Sequence, residues 1–240
     1  TLSSSSAASD VYKRQRVDGI SRADADAFAL QSHLRAVAAI DAGRFAPEIA
    51  VGVETDRGIV DTDEGPRRDT TLDALAKLRA VVAGGEVVTA GNSSSLNDGA
   101  SAIVVASAEA VERHGLRPRA RIVASATAAL APEIMGLGPV PATQKALAKA
   151  GLQIADLGAV ELNEAFASQS LACIRRLGLD PAIVNADGGA IALGHPLGSS
   201  GSRLIVTLLG RLEREGARYG LATMCVGVGQ GTAMIVERLT

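Results

Sequence analysis

The 240-residue sequence predicts an α/β protein in which helices pack on the faces of a sheet. From residue 118 onward, short apolar runs alternate with stretches of ~10–15 residues that have helical periodicity. A glycine follows most of these stretches, where it can end a helix in the left-handed conformation. The chain is 47% hydrophobic and contains 26 Gly, three Phe, two Tyr and no Trp, so its small side chains predict closely packed layers.

Residues 1–15 are predicted not to belong to the fold. They are rich in Ser and Ala, lack helical and strand periodicity, and lack the apolar core of a secretory signal. The letters from residue 5 to residue 15 resemble a translated sequencing adapter, although an ordinary flexible tail is an alternative. We therefore expect a non-native tail here, with the natural chain continuing upstream of Arg16.

Residues 16–117 begin with a helix start. Ser21 and Asp24 have the spacing of a capping box, and Leu30 and Leu34 follow at helical intervals up to Gly43. Further elements predicted here are an extended segment at 50–53, a short helix from 70 to 79, a strand at 87–89, a buried β-branched strand at 102–106 and a helix at 109–114.

Residues 118–240 are predicted to form a domain of their own that begins near Pro118. The regular alternation of strands and helices predicts βαβ units. The predicted strands lie at 121–126, 159–162, 182–184, 221–224 and 232–237. The predicted helices lie at 143–150, 165–177 and 202–215, and the first two stop at Gly151 and Gly178.

Charge and cysteine content argue against several classes of protein. The net charge is −2 and no basic run of five residues occurs, so neither nucleic acid nor a membrane is an expected partner. The longest apolar runs are well short of the ~18 residues of a membrane span. Two cysteines, Cys173 and Cys225, cannot make a disulfide framework, which favours a reducing compartment such as the cytoplasm.

Polar residues interrupt the apolar pattern at three places, each beyond a predicted strand. These islands are residues 161–167, 188–201 and 224–231. Ligands of α/β proteins bind beyond the carboxyl ends of the strands. The islands contain an amide in Asn163, an imidazole in His195 and a thiol in Cys225, so we expect a site built from these three side chains.

His195 is the candidate acid–base group. Pro196 restricts it to extended backbone conformations, and the N-terminus of the predicted helix that follows favours the neutral imidazole. A neutral imidazole acts as a base or a hydrogen-bond donor near physiological pH. The alternative is a loop histidine packed for structure, which the flanking glycines and the nearby cysteine disfavour.

Cys225 precedes a Gly-rich turn whose backbone N–H groups can lower a thiol pKa and hold an oxyanion. A cysteine on its own is more often a buried small side chain. Cys173 lies among apolar neighbours inside a predicted helix and is assigned to the core. Asn163 precedes that helix, where capping is an alternative or additional role.

Other types of site fit the sequence less well. The glycines at 227, 229 and 231 do not have the Gly-x-Gly-x-x-Gly spacing of a dinucleotide-binding fingerprint, because the third glycine is misplaced. A strand is also predicted to follow them, where the fingerprint requires a helix. Residues 194–202 lack the lysine of a phosphate-binding loop. A metal site from Glu164, His195 and Cys225 lacks a close Cys/His ligand pair, so no metal or other cofactor is expected.

Together these islands resemble the signature blocks of the thiolase family. The blocks are Asn-Glu-Ala-Phe-Ala at 163–167, Gly-Gly-Ala-Ile-Ala-Leu-Gly-His-Pro at 188–196, Cys225 with its Gly-rich turn, and upstream blocks at 88–100 and 135–139. The resemblance covers residues 16–240. It implies the layered αβαβα thiolase fold. Residues 16–117 would then be the loop domain and the end of the N-terminal domain, which is only partly present, and residues 118–240 would be the complete C-terminal domain.

The resemblance also implies a reaction and a role for each residue. Thiolases transfer acyl groups between coenzyme A thioesters, either joining acyl-CoA and acetyl-CoA or cleaving a 3-oxoacyl-CoA. The residue matching His195 activates a nucleophilic cysteine, and the one matching Cys225 moves the α-proton of acetyl-CoA. The resemblance further implies that His195 and Asn163 form the oxyanion hole for the enolate and that Gly227 forms a second one for the acyl-enzyme carbonyl. It implies that Ser94 contacts the pantetheine arm and that Met135 and Phe166 line the acyl pocket. Arg67 is implied to approach the adenine nucleotide of coenzyme A.

Three departures from the family pattern accompany the resemblance. Ser95 stands where glycine is usual, and Val228 interrupts the glycines after Cys225. The nucleophilic cysteine of thiolases belongs to the N-terminal half, so this chain alone is expected to be inactive. The full-length protein is expected to be a homodimer or homotetramer that uses acyl-CoA and acetyl-CoA.

Several alternatives stay open. Residues 191–198 and 222–231 also resemble thiolases that cleave 3-oxoadipyl-CoA in aromatic degradation. A non-catalytic thiolase-like protein that binds acyl-CoA or lipid would be expected to lack Asn163, His195 or Cys225, all of which are present. A Cys/His hydrolase would place its cysteine on a strand-to-helix turn, whereas Cys225 leads into another strand. For Arg67, an exposed surface charge is the alternative.

Overall fold

The structure, a computed structural model, describes residues 18–50, 52–56, 58–81 and 84–239. The tail predicted at residues 1–15 lies outside these ranges. The helices are α1 (Arg22–Asp41), α2 (Leu72–Ala76), α3 (Ala108–His114), α4 (Pro139–Ala150), α5 (Ala167–Leu177), α6 (Ala190–Leu193) and α7 (Ser200–Glu215). The strands are β1 (Val53–Thr55), β2 (Gly58–Val60), β3 (Ala120–Ala129), β4 (Leu157–Leu162), β5 (Tyr219–Val226) and β6 (Gln230–Arg238). Short 3₁₀ turns lie at Ala90–Asn92, Pro132–Leu137 and Ile154–Asp156.

A four-stranded mixed sheet forms the centre of the second half of the chain. Its strand order is β3-β6-β5-β4, with antiparallel pairs on both sides of β6 and a parallel pair between β5 and β4. Leu162 at the end of β4 is in register with Thr223 of β5. Because parallel strands end at the same edge of a sheet, the segments after β4 and β5 emerge together.

Alternating side chains cover the two faces of this sheet, as the two-residue period of a strand requires. On one face, Val160, Leu221 and Ile235 pack with α4 and α5 in a large apolar cluster. On the other face, Ala159 and Val236 pack against leucines of α7. Helices on both faces confirm the predicted α/β class.

Helix α1 places the first half of the chain against the second. It begins at the predicted capping box, in which the Ser21 hydroxyl accepts from the Asp24 N–H and the Asp24 carboxylate accepts from the Ser21 N–H. Its buried face packs against Ala167 of α5 and Ile191 of α6. None of the helices in the described ranges is long and apolar enough to cross a membrane.

Local signals located the helix ends of the sheet domain well. Gly151 and Gly178, the predicted stops, both have φ of +66° and follow the last residues of α4 and α5 directly. The two-residue period placed β3, β4, β5 and β6 within a few residues of their observed bounds. The division of the chain near residue 118 stays a prediction.

The prediction of a buried strand at 102–106 was wrong. Residues 101–107 have no regular secondary structure, and the side chains of Val104 and Val105 are 87% and 74% exposed. A β-branched run favours extended backbone, but a strand also needs a hydrogen-bonded neighbour, and none of the six described strands pairs with this segment. The strands predicted at 87–89 and 182–184 are reduced to single bridges, Ala80 with Thr89 and Val160 with Val184.

Candidate active site

Two of the three polar islands meet directly, and the third lies on the adjacent strand. Asn163 follows β4, and its backbone N–H donates to the Thr223 carbonyl oxygen at 3.0 Å, two residues before Cys225 on β5. His195 lies between α6 and α7, and its Nε2 atom is 3.3 Å from the Asn163 side-chain nitrogen. The structure therefore brings Asn163 and His195 together at the end of the sheet where Cys225 is the last residue but one of β5.

The segment that carries His195 is held from two sides. Its backbone N–H donates to the Ser95 carbonyl oxygen at 3.1 Å and to Asn97 Oδ1 at 3.3 Å. Its Nδ1 atom lies 2.5 Å from the hydroxyl of Ser200, the first residue of α7. The imidazole is thus fixed between the loop at 95–97 and the start of a helix.

The imidazole of His195 is electrostatically biased toward its neutral form. Burial lowers the pKa of His195 below its ordinary value, and the positive charge of Arg203 on α7 lowers it further. The direction agrees with the neutral imidazole predicted from the sequence. The cause differs, because burial and Arg203 account for a shift that the prediction attributed to the helix N-terminus.

The pKa of the Cys225 thiol is shifted upward, whereas the sequence predicted a lowered pKa. Cys225 is buried, and burial raises its pKa to about 11, although a hydrogen bond to its own backbone opposes that shift. A sulfur removed from water disfavours the thiolate, and this cost outweighs the opposing hydrogen bond. In this state of the protein Cys225 is a neutral thiol at physiological pH.

The Gly-rich turn after Cys225 leaves room beside Gly227. A Cβ atom added at Gly227 would meet no heavy atom within 4 Å. At Gly229, by contrast, φ is +81° and the backbone lies against Leu130 and Pro132. The turn is therefore anchored at its second glycine and open at its first.

Asn163 does not cap the following helix, so that alternative role was wrong. Helix α5 begins at Ala167, and Phe166 occupies its N-cap position. The Asn163 side chain is fully buried, and its Oδ1 atom has no hydrogen-bond partner among the described residues. Because a buried amide oxygen without a donor is costly, this oxygen is available to a donor that enters the site.

Two of the predicted substrate-binding residues lie on the segments that frame His195. The backbone N–H and the hydroxyl of Ser94 both donate to the Ala165 carbonyl oxygen, at 3.1 Å and 3.2 Å. Phe166, next to Ala165, is buried and forms a bridge with Ser93. The loop at 93–97 is thereby attached to the segment that follows Asn163.

Met135 and Arg67 are less closely tied to the pair. Met135 is buried in the 3₁₀ turn Pro132–Leu137, which packs against β5 and β6. Arg67 is exposed, and its backbone N–H donates to Nδ1 of His33 at 3.1 Å. Within the described ranges, no hydrogen bond joins either residue to Asn163, His195 or Cys225.

A buried carboxylate that was not predicted as a site residue supports the site from below. Glu164, the neighbour of Asn163, accepts hydrogen bonds from the Ser32 hydroxyl at 2.6 Å, the Asn185 amide at 2.8 Å and the Ile191 backbone N–H at 3.1 Å. Burial raises the pKa of Glu164, and these donors oppose that shift. Glu164 therefore connects α1, the end of β4 and α6.

Ser200 and Arg203 were also missed, although both act on His195. Their only sequence signal is their spacing, five and eight residues after the histidine, which places both in the first turn of α7. Both Nη atoms of Arg203 are buried without a hydrogen-bond partner in the part of the chain that the structure describes. Arg203 Nη1 lies 3.7 Å from Glu161 on β4.

Metal binding finds no support in the geometry of the described residues. No group of three His, Cys, Asp or Glu side chains among them is close enough together to hold an ion. Glu164, one of the ligands considered from the sequence, is occupied by its three protein donors.

Comparison with protein families agrees with this arrangement. The family model described as "Thiolase, C-terminal domain" matches residues 116–238, and "Thiolase, N-terminal domain" matches residues 7–109. The chain is 58% identical over 225 residues to β-ketoadipyl-CoA thiolase of Pseudomonas aeruginosa, which covers 92% of this chain and 56% of that protein. It is 50% identical over 222 residues to acetyl-CoA acetyltransferase of Paracoccus denitrificans, covering 91% and 57%. The chain thus spans about half the length of the relatives it matches.

Solved structures show the same fold. Human mitochondrial 3-ketoacyl-CoA thiolase in complex with CoA superposes with a TM-score of 0.94 at 46% identity, over 97% of this chain and 59% of that one. Acetyl-CoA acetyltransferase of Bacillus anthracis superposes with a TM-score of 0.92 at 39% identity, over 97% and 60%. The predicted thiolase fold is confirmed, and the chain belongs to the thiolase family.

Proposed function

We propose that the protein to which this chain belongs transfers acyl groups between coenzyme A thioesters, and that its preferred reaction is the thiolytic cleavage of 3-oxoadipyl-CoA. The observation that carries the reaction type is the Asn163–His195 pair, in which a buried amide lies 3.3 Å from a half-buried imidazole at the end of the sheet that carries Cys225. An amide, a neutral imidazole and a thiol match the needs of enolate chemistry, which requires a proton carrier and preorganised donors.

Each of the three side chains has a distinct proposed role. The neutral imidazole of His195 takes the proton of an acyl-accepting thiol, which in cleavage attacks the 3-oxo carbon of the substrate. The bond between C2 and C3 breaks, the acyl group stays on that thiol, and the electron pair leaves as the enolate of acetyl-CoA, whose oxygen accepts from the protonated His195 beside Asn163. Cys225 holds its proton at neutral pH, so it can give that proton to the α-carbon of the enolate. The thiolate left on Cys225 is reprotonated when the thiol of free CoA takes over the acyl group, and in the reverse condensation the same thiolate removes the α-proton.

The acyl-accepting thiol is proposed to lie in the remainder of the whole protein. Cys173 is fully buried in the core cluster and donates to the Gly136 carbonyl oxygen at 3.3 Å, and Cys225 is assigned to proton transfer. On this proposal the chain on its own is inactive. The open backbone at Gly227 receives the acyl-enzyme carbonyl oxygen, while Ser94, Met135, Phe166 and Arg67 keep their proposed contacts with the substrate and its CoA moiety.

The substrate is the finer part of the proposal. The proteins from Pseudomonas aeruginosa and Escherichia coli that are 58% and 52% identical to this chain are named β-ketoadipyl-CoA thiolase and 3-oxoadipyl-CoA/3-oxo-5,6-dehydrosuberyl-CoA thiolase. These names favour a 3-oxoacyl chain that ends in a carboxylate. We also propose that the whole protein is a homodimer or homotetramer, since most soluble oligomers are closed homo-oligomers.

A thiolysis assay on the full-length protein tests both parts. We expect the highest kcat/KM with 3-oxoadipyl-CoA, a lower one with acetoacetyl-CoA, and the lowest with a long-chain 3-oxoacyl-CoA. His195→Ala and Cys225→Ala should each lower kcat by at least about 100-fold, because each removes a proton carrier. Ser199→Ala, whose hydroxyl contacts Ser101 at 2.7 Å, is the matched control.

Two outcomes would contradict the proposal. If the folded protein turned over none of the three thioesters but bound them, it would be an acyl-CoA binder and not an enzyme. If acetoacetyl-CoA were preferred, the reaction type would stand and the proposed substrate would be wrong.

A further inference from the structure

Ser200 contacts two groups at the site with a single hydroxyl. It is fully buried at the start of α7. Its oxygen lies 2.9 Å from the Pro196 carbonyl oxygen and 2.5 Å from Nδ1 of His195. Both distances are within hydrogen-bonding range, so the position of one proton decides how both contacts are made.

The Pro196 carbonyl oxygen, which also accepts from the backbone N–H groups of Ser199 and Ser200 at 2.9 Å, is one of the two acceptors open to the Ser200 proton. A carbonyl oxygen can only accept, and a serine hydroxyl has one proton to give. Once that proton is on the Pro196 side, the contact between Ser200 and the imidazole requires the proton to come from the ring. Nδ1 of His195 is then the donor and Ser200 the acceptor.

The opposite side of the ring leads to the same assignment. The side-chain nitrogen of Asn163 lies 3.3 Å from Nε2 of His195, and an amide NH₂ group only donates. Nε2 must therefore offer a lone pair. A neutral imidazole carries one proton, and two contacts on different elements, Ser200 on α7 and Asn163 after β4, place it on Nδ1.

We propose that Ser200 is a positioning residue that holds His195 in the tautomer with the proton on Nδ1 and the lone pair on Nε2. The inference rests on the proposed function, because it identifies Nε2 as the atom that accepts the proton of the acyl-accepting thiol. Without the Ser200 hydroxyl, the Asn163 amide would be the only remaining contact that opposes a proton on Nε2, and molecules that carry the proton there could not act as that base.

The surroundings of the ring keep it neutral, so that the choice of tautomer matters. Arg203, on the same helix as Ser200, opposes a second proton on His195. Asn97 and Ser95 on the facing loop contact only the backbone of His195 and leave both ring nitrogens to Ser200 and Asn163.

Nitrogen NMR of histidine reports this tautomer directly. The full-length protein, labelled with ¹⁵N only at histidine, is measured by magic-angle-spinning NMR near pH 8, and His195→Gln identifies the signals of His195. In the wild type we expect a protonated Nδ1 and an unprotonated Nε2. In Ser200→Ala only the contact with Asn163 remains, and we expect a second set of signals from molecules protonated at Nε2 beside the wild-type set. Ser199→Ala, one residue away, should retain the wild-type pattern.

A wild-type His195 protonated at Nε2 would overturn the inference, and so would a Ser200→Ala variant that keeps the wild-type pattern. The same variant in the full-length assay should lower kcat more than it raises KM, since Ser200 acts through the imidazole and not on the substrate. The NMR result needs no turnover. A protein with the expected tautomer and no thiolase activity would therefore contradict the proposed function alone, and an active protein with the other tautomer would contradict this inference alone.

Discussion

Glu161 Oε1 lies 3.0 Å from Arg211 Nη1 in an ion pair whose two side chains are at most 1% exposed. Arg203 approaches the other carboxylate oxygen at 3.7 Å. Burial nevertheless raises the pKa of Glu161 from 4.5 to about 7, because desolvation outweighs the two positive charges. The carboxylate beneath the candidate site is therefore one that folding makes harder to ionise.

The ionisation of Glu161 should make the stability of the protein depend on pH. A carboxyl whose pKa is raised on folding binds its proton more tightly in the native state, so the native state loses stability as pH rises from about 4.5 to about 7. Glu161→Gln removes this titration. The unfolding free energy of the wild type should fall relative to that of the variant by roughly 3 kcal/mol across this window.

Urea unfolding at a series of pH values between 4.5 and 8 measures this difference. The variant also loses the ion pair with Arg211, which changes its unfolding free energy relative to the wild type by an amount that does not depend on pH. Ser199→Ala, which alters no titratable group, should differ from the wild type by a constant amount. A constant difference for Glu161→Gln as well would show that Glu161 is not shifted on folding.

Arg203, in the first turn of α7, should help to lower the pKa of His195. Burial is the larger cause of the lowered pKa of His195 and Arg203 the second, so Arg203→Gln should raise that pKa toward its ordinary value without reaching it. The pKa is read from the ¹⁵N shifts of His195 between pH 4 and 8. Arg176→Gln, which removes a surface charge paired with Asp18, should leave it unchanged.

The same shift has a consequence for stability at acidic pH. As pH falls, a histidine with a lowered native pKa is protonated in the unfolded state before it is protonated in the native state. The stability that neutral His195 contributes to the native state is therefore fully present above about pH 6.5 and is lost as pH falls below that value. Arg203→Gln should reduce this loss. An equal pKa for His195 in the variant and the wild type would contradict the role of Arg203.

Cys225 should alkylate slowly in the native protein. Residues 1–240 contain two cysteines, so in Cys173→Ala any label that peptide mapping finds within this range is on Cys225, whatever thiols the rest of the protein contributes. A pKa of about 11, against 9.0 for an unperturbed thiol, reduces the thiolate fraction at pH 8 by roughly 100-fold, and burial slows access further.

Iodoacetamide labelling of that variant at pH 8, followed by mass spectrometry, gives the rate. The same chain unfolded in urea supplies the reference rate for an exposed thiol. Native labelling within about tenfold of that reference would show that the turn after Cys225 lowers its pKa after all, as the sequence predicted.

Two glycines on either side of His195 in the sequence, Gly189 and Gly198, should respond differently to the same substitution. A Cβ atom at Gly189 would clash with the carboxylate of Glu164, whereas one at Gly198 would meet nothing within 4 Å. Gly189→Ala should therefore cost about 1–3 kcal/mol of unfolding free energy, and Gly198→Ala no more than about 0.5 kcal/mol. Thermal and urea unfolding measure both, and equal costs would contradict the close packing around Glu164.

The elements predicted correctly from the sequence depend on local interactions. The capping box at Ser21 is complete within three residues, and the stop at Gly151 needs only a left-handed backbone. The segment at 102–106 failed for the converse reason, because a strand depends on a partner that its own letters do not specify.

The site shows the same limit. The strand-end rule predicted a site of Asn163, His195 and Cys225, because polar residues that interrupt strand ends can be recognised in the sequence, and the structure brings the first two within 3.3 Å. The pKa of Cys225 was predicted in the wrong direction, since burial depends on the whole fold. The contact of Glu164 with Ser32 joins residues 132 positions apart, and no pattern in the sequence indicates it.

Glu164 also determines how the site can open. Movement of α6 away from the sheet would break the bond to the Ile191 N–H and expose a carboxylate that also binds Ser32 and Asn185. Each partly open state would leave a buried carboxylate without its donors, which costs free energy. The amide proton of Ile191 should therefore exchange with solvent only when the surrounding fold unfolds as a whole. The floor of the site and the core beneath it should therefore unfold as one cooperative unit, and any local opening of the site should involve the segments above that floor.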